Sequence, residues 1–129
     1  IEAVIQRAMR EQVSVILEGV HIHPAFMEKL KNNNDAIVIP IMLGVLKRKQ
    51  LQRRIQGRGT AAPQRRGDRY LQHFDEIWRL QSHLLSEADH ANIPIVANSQ
   101  RDKVFREIMR VTIEILAKDF NNTPQAVFG

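Results

Sequence analysis

Apolar residues recur along this chain in two patterns, helical stripes and short unbroken runs, and their order predicts its elements. Ile1, Val4, Ile5, Ala8 and Met9 fall at i, i+3, i+4, i+7 and i+8, one face of a helix running to about Gln12. Residues 13–17 (VSVIL) form an apolar run short enough for a buried strand, closed by Glu18 and Gly19. Pro24 suits the first turn of a helix reaching about Lys31, because its missing N–H would be unpaired there in any case. After an Asn-rich turn, residues 36–43 read as a second strand, weakened by Pro40, which cannot donate to a sheet ladder. Residues 45–56 look helical and basic, and 57–67 read as a loop from their glycines and Pro63. Tyr70, Leu71, Phe74, Ile77, Trp78, Leu84, Leu85 and Ala88 form the stripe of one long helix through about Ala91. Residues 93–97 are a third short strand, and Ser99 with Asp102 opens a last helix carrying Val104, Ile108, Val111 and Ile115.

Helices alternating with strands in this way predict an α/β fold, a parallel sheet with crossover helices. The 129 residues allow one domain with a modest core. The first helical stripe starts at the first residue without an N-cap before it, so the expectation is a piece of a longer polypeptide, the latter part of a single domain. The longest apolar stretch, residues 36–46, contains Pro40 and Gly44 and is too short to span a bilayer as a helix, so no membrane association is expected. With no cysteine, a disulfide framework, a thiolate zinc site and a cysteine nucleophile are excluded. That composition, with neither a signal-peptide core nor a transit-peptide pattern, fits a cytoplasmic protein.

Charge changes the picture because it is unevenly spread. Residues 47–69 hold nine cations, seven of them arginine, against Asp68 alone, a balance of +8; the whole chain carries +5, so the remainder sums to −3. One segment makes the protein basic, and its partner must be anionic. Arginine matches phosphate oxygens with a planar fork of donors, and a phosphoryl-transfer transition state needs such charge around the γ-phosphate. Mounted on helices with a Gly-rich tip, residues 45–69 would serve as a lid that excludes water. A nucleic-acid surface would show the same bias, although no aromatic residue precedes Tyr70 for stacking.

Three further constellations stand near predicted strand ends, where open α/β sheets bind ligands. Glu18 could hold the water shell of a magnesium ion or accept a proton from a substrate hydroxyl, or it could be an ordinary exposed acid. His21 and His23 lie at i, i+2, but no third ligand is close, so His21 suits a substrate phosphate or carboxylate better than a metal; a backbone-bonded loop histidine is the alternative. Asn98 could offer its amide to an adenine or simply start a helix. A phosphate cradle of the form G-x-x-x-x-G-K-[ST] is missing, since no glycine here precedes a lysine.

Three stretches, LEGVHIHP at 17–24, the arginine segment running into RYLQHF at 69–74, and IPIVAN at 93–98, resemble the later part of the 2-phosphoglycerate kinase family of P-loop kinases. The resemblance implies ATP- and magnesium-dependent phosphorylation of 2-phosphoglycerate to 2,3-bisphosphoglycerate. It implies that Glu18 is catalytic and holds Mg2+ through water, and that Arg65 and Arg66 supply catalytic charge. It further implies that His21, Arg54, Arg58 and Arg69 bind substrate and that Asn98 lies near the adenine. In that arrangement the strand bearing the phosphate cradle runs between the strands at 13–17 and 36–43. Without it both would show unpaired inner edges, so residues 1–129 alone are expected to be inactive and either poorly folded or self-associated. The partner is then a small phosphorylated metabolite, with nucleic-acid binding through residues 47–69 as the alternative.

Overall fold

A computed structural model describes residues 1–33, 35–61 and 67–119, with backbone alone for 59–61. In chain order the elements are α1 (Glu2–Glu11), α2 (Pro24–Lys31), β1 (Met42–Gly44), α3 (Arg48–Ala61), α4 (Gly67–Gln72), α5 (Phe74–His90), β2 (Ile95–Ala97) and α6 (Arg101–Asp119). The two strands pair in parallel, with Met42 opposite Ile95, Leu43 opposite Val96 and Gly44 opposite Ala97. The chain is therefore mostly helical around a small parallel sheet, the α/β class in reduced form.

Two helices end the same way. At Gln12 and Asn92 the backbone turns left-handed, φ 53° at each. The following amides reach back, Val13 N–H to the Ala8 carbonyl at 3.0 Å and Ile93 N–H to the Ala88 carbonyl at 2.8 Å. This bond satisfies carbonyls that the helix end would otherwise leave open. It also seats Ala8 and Ala88 inward, both buried. At α2 the cap comes from His23, whose Nδ1 accepts the Ala25 N–H at 3.1 Å, with Pro24 in the first turn as its chemistry requires.

The core is built from small and medium side chains: Val45, Ile55, Phe74, Ala88, Ile93, Val96 and Val111 are buried, and Val96 fully so. The predicted inner face of α6 holds, with Val111 buried and Val104, Ile108 and Ile115 half-buried. On its other face Phe105 is 64% and Ile113 59% exposed.

Several expectations are corrected. Residues 13–17 form no strand. An apolar run becomes a strand only beside a neighbour, and among the described residues nothing pairs with it; Ile16 is 98% exposed. The second and third predicted strands shrink to β1 and β2, the former starting just beyond Pro40 and the latter just beyond Pro94. Pro94 still serves the sheet, since its carbonyl accepts the Met42 N–H at 2.9 Å. The helix at 45–56 instead runs from Arg48 to Ala61, through Gly57 and Gly59. Each glycine costs a helix about 1 kcal/mol relative to alanine, and packing of α3 on α4 offsets that. The long stripe from Tyr70 is two helices, interrupted at His73, and Tyr70 itself is exposed.

Helix α5 is keyed to β1 by a side chain. Gln81 accepts the Val45 N–H through Oε1 and donates to the Val45 carbonyl through Nε2, both at 3.0 Å. It does for the strand end what another strand would do. Close approach requires Gly44 here, since a Cβ at that position would stand 2.7 Å from the Leu85 side chain. Gln81→Leu should leave a buried donor and acceptor at Val45 unpaired, at roughly 2–4 kcal/mol. Urea unfolding of the full-length protein should show a lower midpoint at unchanged slope, and an unchanged midpoint would mean that the amide clamp anchors nothing.

Candidate functional site

Parallel pairing puts the carboxyl ends of β1 and β2 side by side, and each leads within a few residues into a helix, α3 and α6. In such sheets this end is where ligands bind, because loops and helix N-termini converge there with their amides outward. Asn98 sits at this end, half-buried, with its backbone N–H on the Gly44 carbonyl at 2.8 Å. The β2–α6 turn is thus fixed to the end of β1. Helix α3 begins with Arg48 and Lys49 after Lys47, and has no acidic residue in its first turn. These cations add to the positive end of the helix dipole instead of offsetting it, so the region favours an anion.

Arg54 reaches this end from α3. Its Nη2 donates to the Ser99 carbonyl at 2.7 Å, one residue beyond Asn98. Arg48 is held differently: its Nη2 pairs with Asp75 Oδ1 at the start of α5, and its guanidinium stacks 5.0 Å from the Phe74 ring centre. A cleft of about 390 Å³ opens beside this pair, lined among others by Gln52, Leu71, Glu76 and Arg79. Arg58, in the last turn of α3, and Arg69, on α4, are exposed. Arg65 and Arg66 lie outside the described residues.

Glu18 and His21 form a separate group. Both are exposed, in a tight turn where Ile22 N–H bonds the Gly19 carbonyl at 3.3 Å. No hydrogen bond or ion pair among the described residues joins this turn to Arg54 or Asn98. His23, the other half of the histidine pair, is committed to capping α2. Among the described residues no three His, Cys, Asp or Glu side chains gather to hold a metal. An exposed carboxylate such as Glu18 fits magnesium only through its water shell, with phosphates and water completing the coordination.

Away from these groups, Arg110 on α6 bonds Glu107 (Nη2 to Oε1, 2.5 Å) and Glu114 (Nη1 to Oε1, 2.6 Å). The hydrogen bond from Arg110 holds the Glu107 carboxyl below its ordinary value, and the two carboxylates push the Arg110 guanidinium up. All three are well exposed, so the network stiffens a surface face more than it stabilises the fold.

Sequence reasoning identified Arg54 and Asn98 but not the Ser99 carbonyl between them, and it missed Gln81 and the Arg48–Asp75 pair. The acids Asp75 and Glu76 in the first turn of α5, a few residues beyond the basic segment, were a readable signal for the Arg48–Asp75 pair.

Comparison with known proteins bears out the resemblance seen in the sequence. The chain is 33% identical to a 2-phosphoglycerate kinase of Pyrococcus horikoshii over 120 residues, which is 90% of this chain and 38% of the relative. It is 31% identical over 122 residues to the 2-phosphoglycerate kinase of Pyrococcus furiosus, 92% of this chain and 39% of that one. With that of Methanopyrus kandleri it shares 32% over 110 residues, 84% of this chain and 33% of the relative. The chain thus spans little more than a third of the length of these relatives. No family profile matches it, and no solved structure matches it. Among the described residues no helix is long and apolar enough to cross a membrane.

Proposed function

We propose that this chain, a relative of the 2-phosphoglycerate kinases over nine-tenths of its length, is part of an ATP-dependent small-molecule kinase of P-loop type. The observation that supports it most is the sheet end. Parallel β1 and β2 present a fixed Asn98 turn beside a helix whose first turn holds Arg48 and Lys49 and no acid, the sign of charge a nucleotide's phosphates require. The favoured reaction is phosphoryl transfer from ATP to the hydroxyl of 2-phosphoglycerate, giving 2,3-bisphosphoglycerate and ADP. Magnesium would supply charge that offsets the negative charge developing on the phosphates, with Glu18 as the residue that would meet its water shell.

Within this reading each residue has a task. Glu18 orients a water of the metal shell or takes the proton of the substrate hydroxyl. His21, three positions on in the same turn, meets the phosphate or carboxylate of the acceptor. Arg58, Arg65, Arg66 and Arg69 bring charge and exclude water as the basic arm covers the site, and Asn98 lies near the adenine. The phosphate cradle comes from a strand, loop and helix outside residues 1–129. That strand would lie between residues 13–17 and β1, which fits an exposed apolar segment at 13–17 that pairs with no strand among the described residues.

Titration calorimetry of the full-length protein with a non-hydrolysable ATP analogue tests this. Binding should require magnesium and change little with moderate salt. If instead nucleic acid binds, with affinity falling about 10³-fold or more between 50 and 200 mM salt, and the analogue does not, residues 47–69 form a phosphate-backbone contact and the kinase reading fails.

A further inference from the structure

We propose that Arg54 is a positioning residue, a latch that holds the arm formed by α3 and α4 on the β2–α6 turn and that a phosphate-bearing ligand releases. Helix α3 packs chiefly on α4, its companion in the arm, with Ile55 buried, and α4 also packs on α5. The base of the arm is fixed, by the Gln81 clamp at Val45 and by Arg48 between Phe74 and Asp75. Arg54 stands farther along α3 and holds the Ser99 carbonyl at 2.7 Å. It is half-buried, whereas its neighbours Arg53 and Arg58 are exposed.

The acceptor makes this contact exchangeable. A carbonyl offers the guanidinium one uncharged oxygen, while a phosphate offers two charged oxygens at the spacing of the guanidinium fork, so both arms of the fork are bonded at once. A phosphate arriving at the strand ends therefore competes directly with Ser99 for Arg54. The arm's position then reports whether that end is occupied. Only the identity of the ligand rests on the kinase reading; the latch rests on the Arg54–Ser99 bond.

Pulsed electron resonance on the full-length protein can test both parts, with nitroxides on Gln56→Cys in α3 and Lys103→Cys in α6. Both positions are exposed, and the 129 residues contain no other cysteine to label; any outside them would be replaced. The parent should give one narrow distance population. Arg54→Ala should lose it to a broad, longer distribution, and Arg54→Lys, which keeps a donor, should largely restore it. Inorganic pyrophosphate should shift the parent to a different distance and leave the distribution of Arg54→Ala unchanged. A narrow population surviving in Arg54→Ala would overturn the latch, and so would Arg54→Lys behaving as Arg54→Ala. Pyrophosphate moving parent and Arg54→Ala alike would overturn its release by phosphate. If Arg54→Ala broadens the distribution but no nucleotide binds, the latch stands and the kinase reading falls.

Discussion

In the full-length protein, Glu18→Gln should lower turnover by about 10²–10⁴-fold, the range expected when a positioned acid–base group is removed, while the melting temperature stays within a degree or two. The two expectations have one origin. Glu18 is exposed, at the end of an apolar segment and beside Gly19, so its carboxylate does no packing that the isosteric amide would undo. The amide keeps the size and the polarity but loses the charge and the capacity to accept a proton. Initial rates of ADP formation at saturating ATP and acceptor, alongside a thermal melt, separate the outcomes. Full turnover in Glu18→Gln would remove this residue from the chemistry, and a collapsed melt would show that it is structural.

Residues 1–129 expressed alone should transfer no phosphate and should self-associate. Val13, Val15 and Ile16 are 52%, 48% and 98% exposed, Leu17 40% and Val20 84%, all within eight residues of chain that form no helix or strand. Phe105, Met109 and Ile113 add a second bare stripe on α6. Apolar surface of this extent, joined to backbone without sheet partners, is a template for pairing with another chain. Sedimentation velocity should show mass rising with concentration. Ile16→Asp should reduce the association by interrupting the apolar run and adding like charges that repel across any edge-to-edge contact. A monodisperse monomer that melts cooperatively would contradict the expectation, and phosphotransfer by it would also contradict the need for a cradle supplied from outside.

Local chemistry was readable, distant pairing was not. Helix α2 and the inward face of α6 follow from spacing and from the placement of Pro24, whose constraints act within a few residues. The strand reading of residues 13–17 failed because hydrophobic runs report a demand for burial and not its fulfilment. Of the loop reading at 57–67, residues 57–61 and 67 are helical instead, because α4 supports a helix that its glycines weaken, and residues 62–66 lie outside the described residues. Among the candidate residues, Asn98 lies at a strand end, whereas Glu18 and His21 follow a segment that forms no strand and stand apart from it. The bonds that organise the site join Arg54 to Ser99, Gln81 to Val45 and Arg48 to Asp75, separated by 45, 36 and 27 positions. No period or motif specifies a partner at such distances; only the fold does.

The parallel register of β1 and β2 also dictates an order of assembly. Met42 can meet Ile95 only after the basic arm and all of α5 have been looped out between them, and the chain entropy of closing that loop falls due before any strand contact returns it. Local helices form far faster than such a loop closes. Strand β2 follows α5 through the turn at Asn92, and Gln81 on α5 holds the end of β1, so one helix sets both strands for each other. The strand ends that make up the candidate site are thus in place only when that long loop is closed.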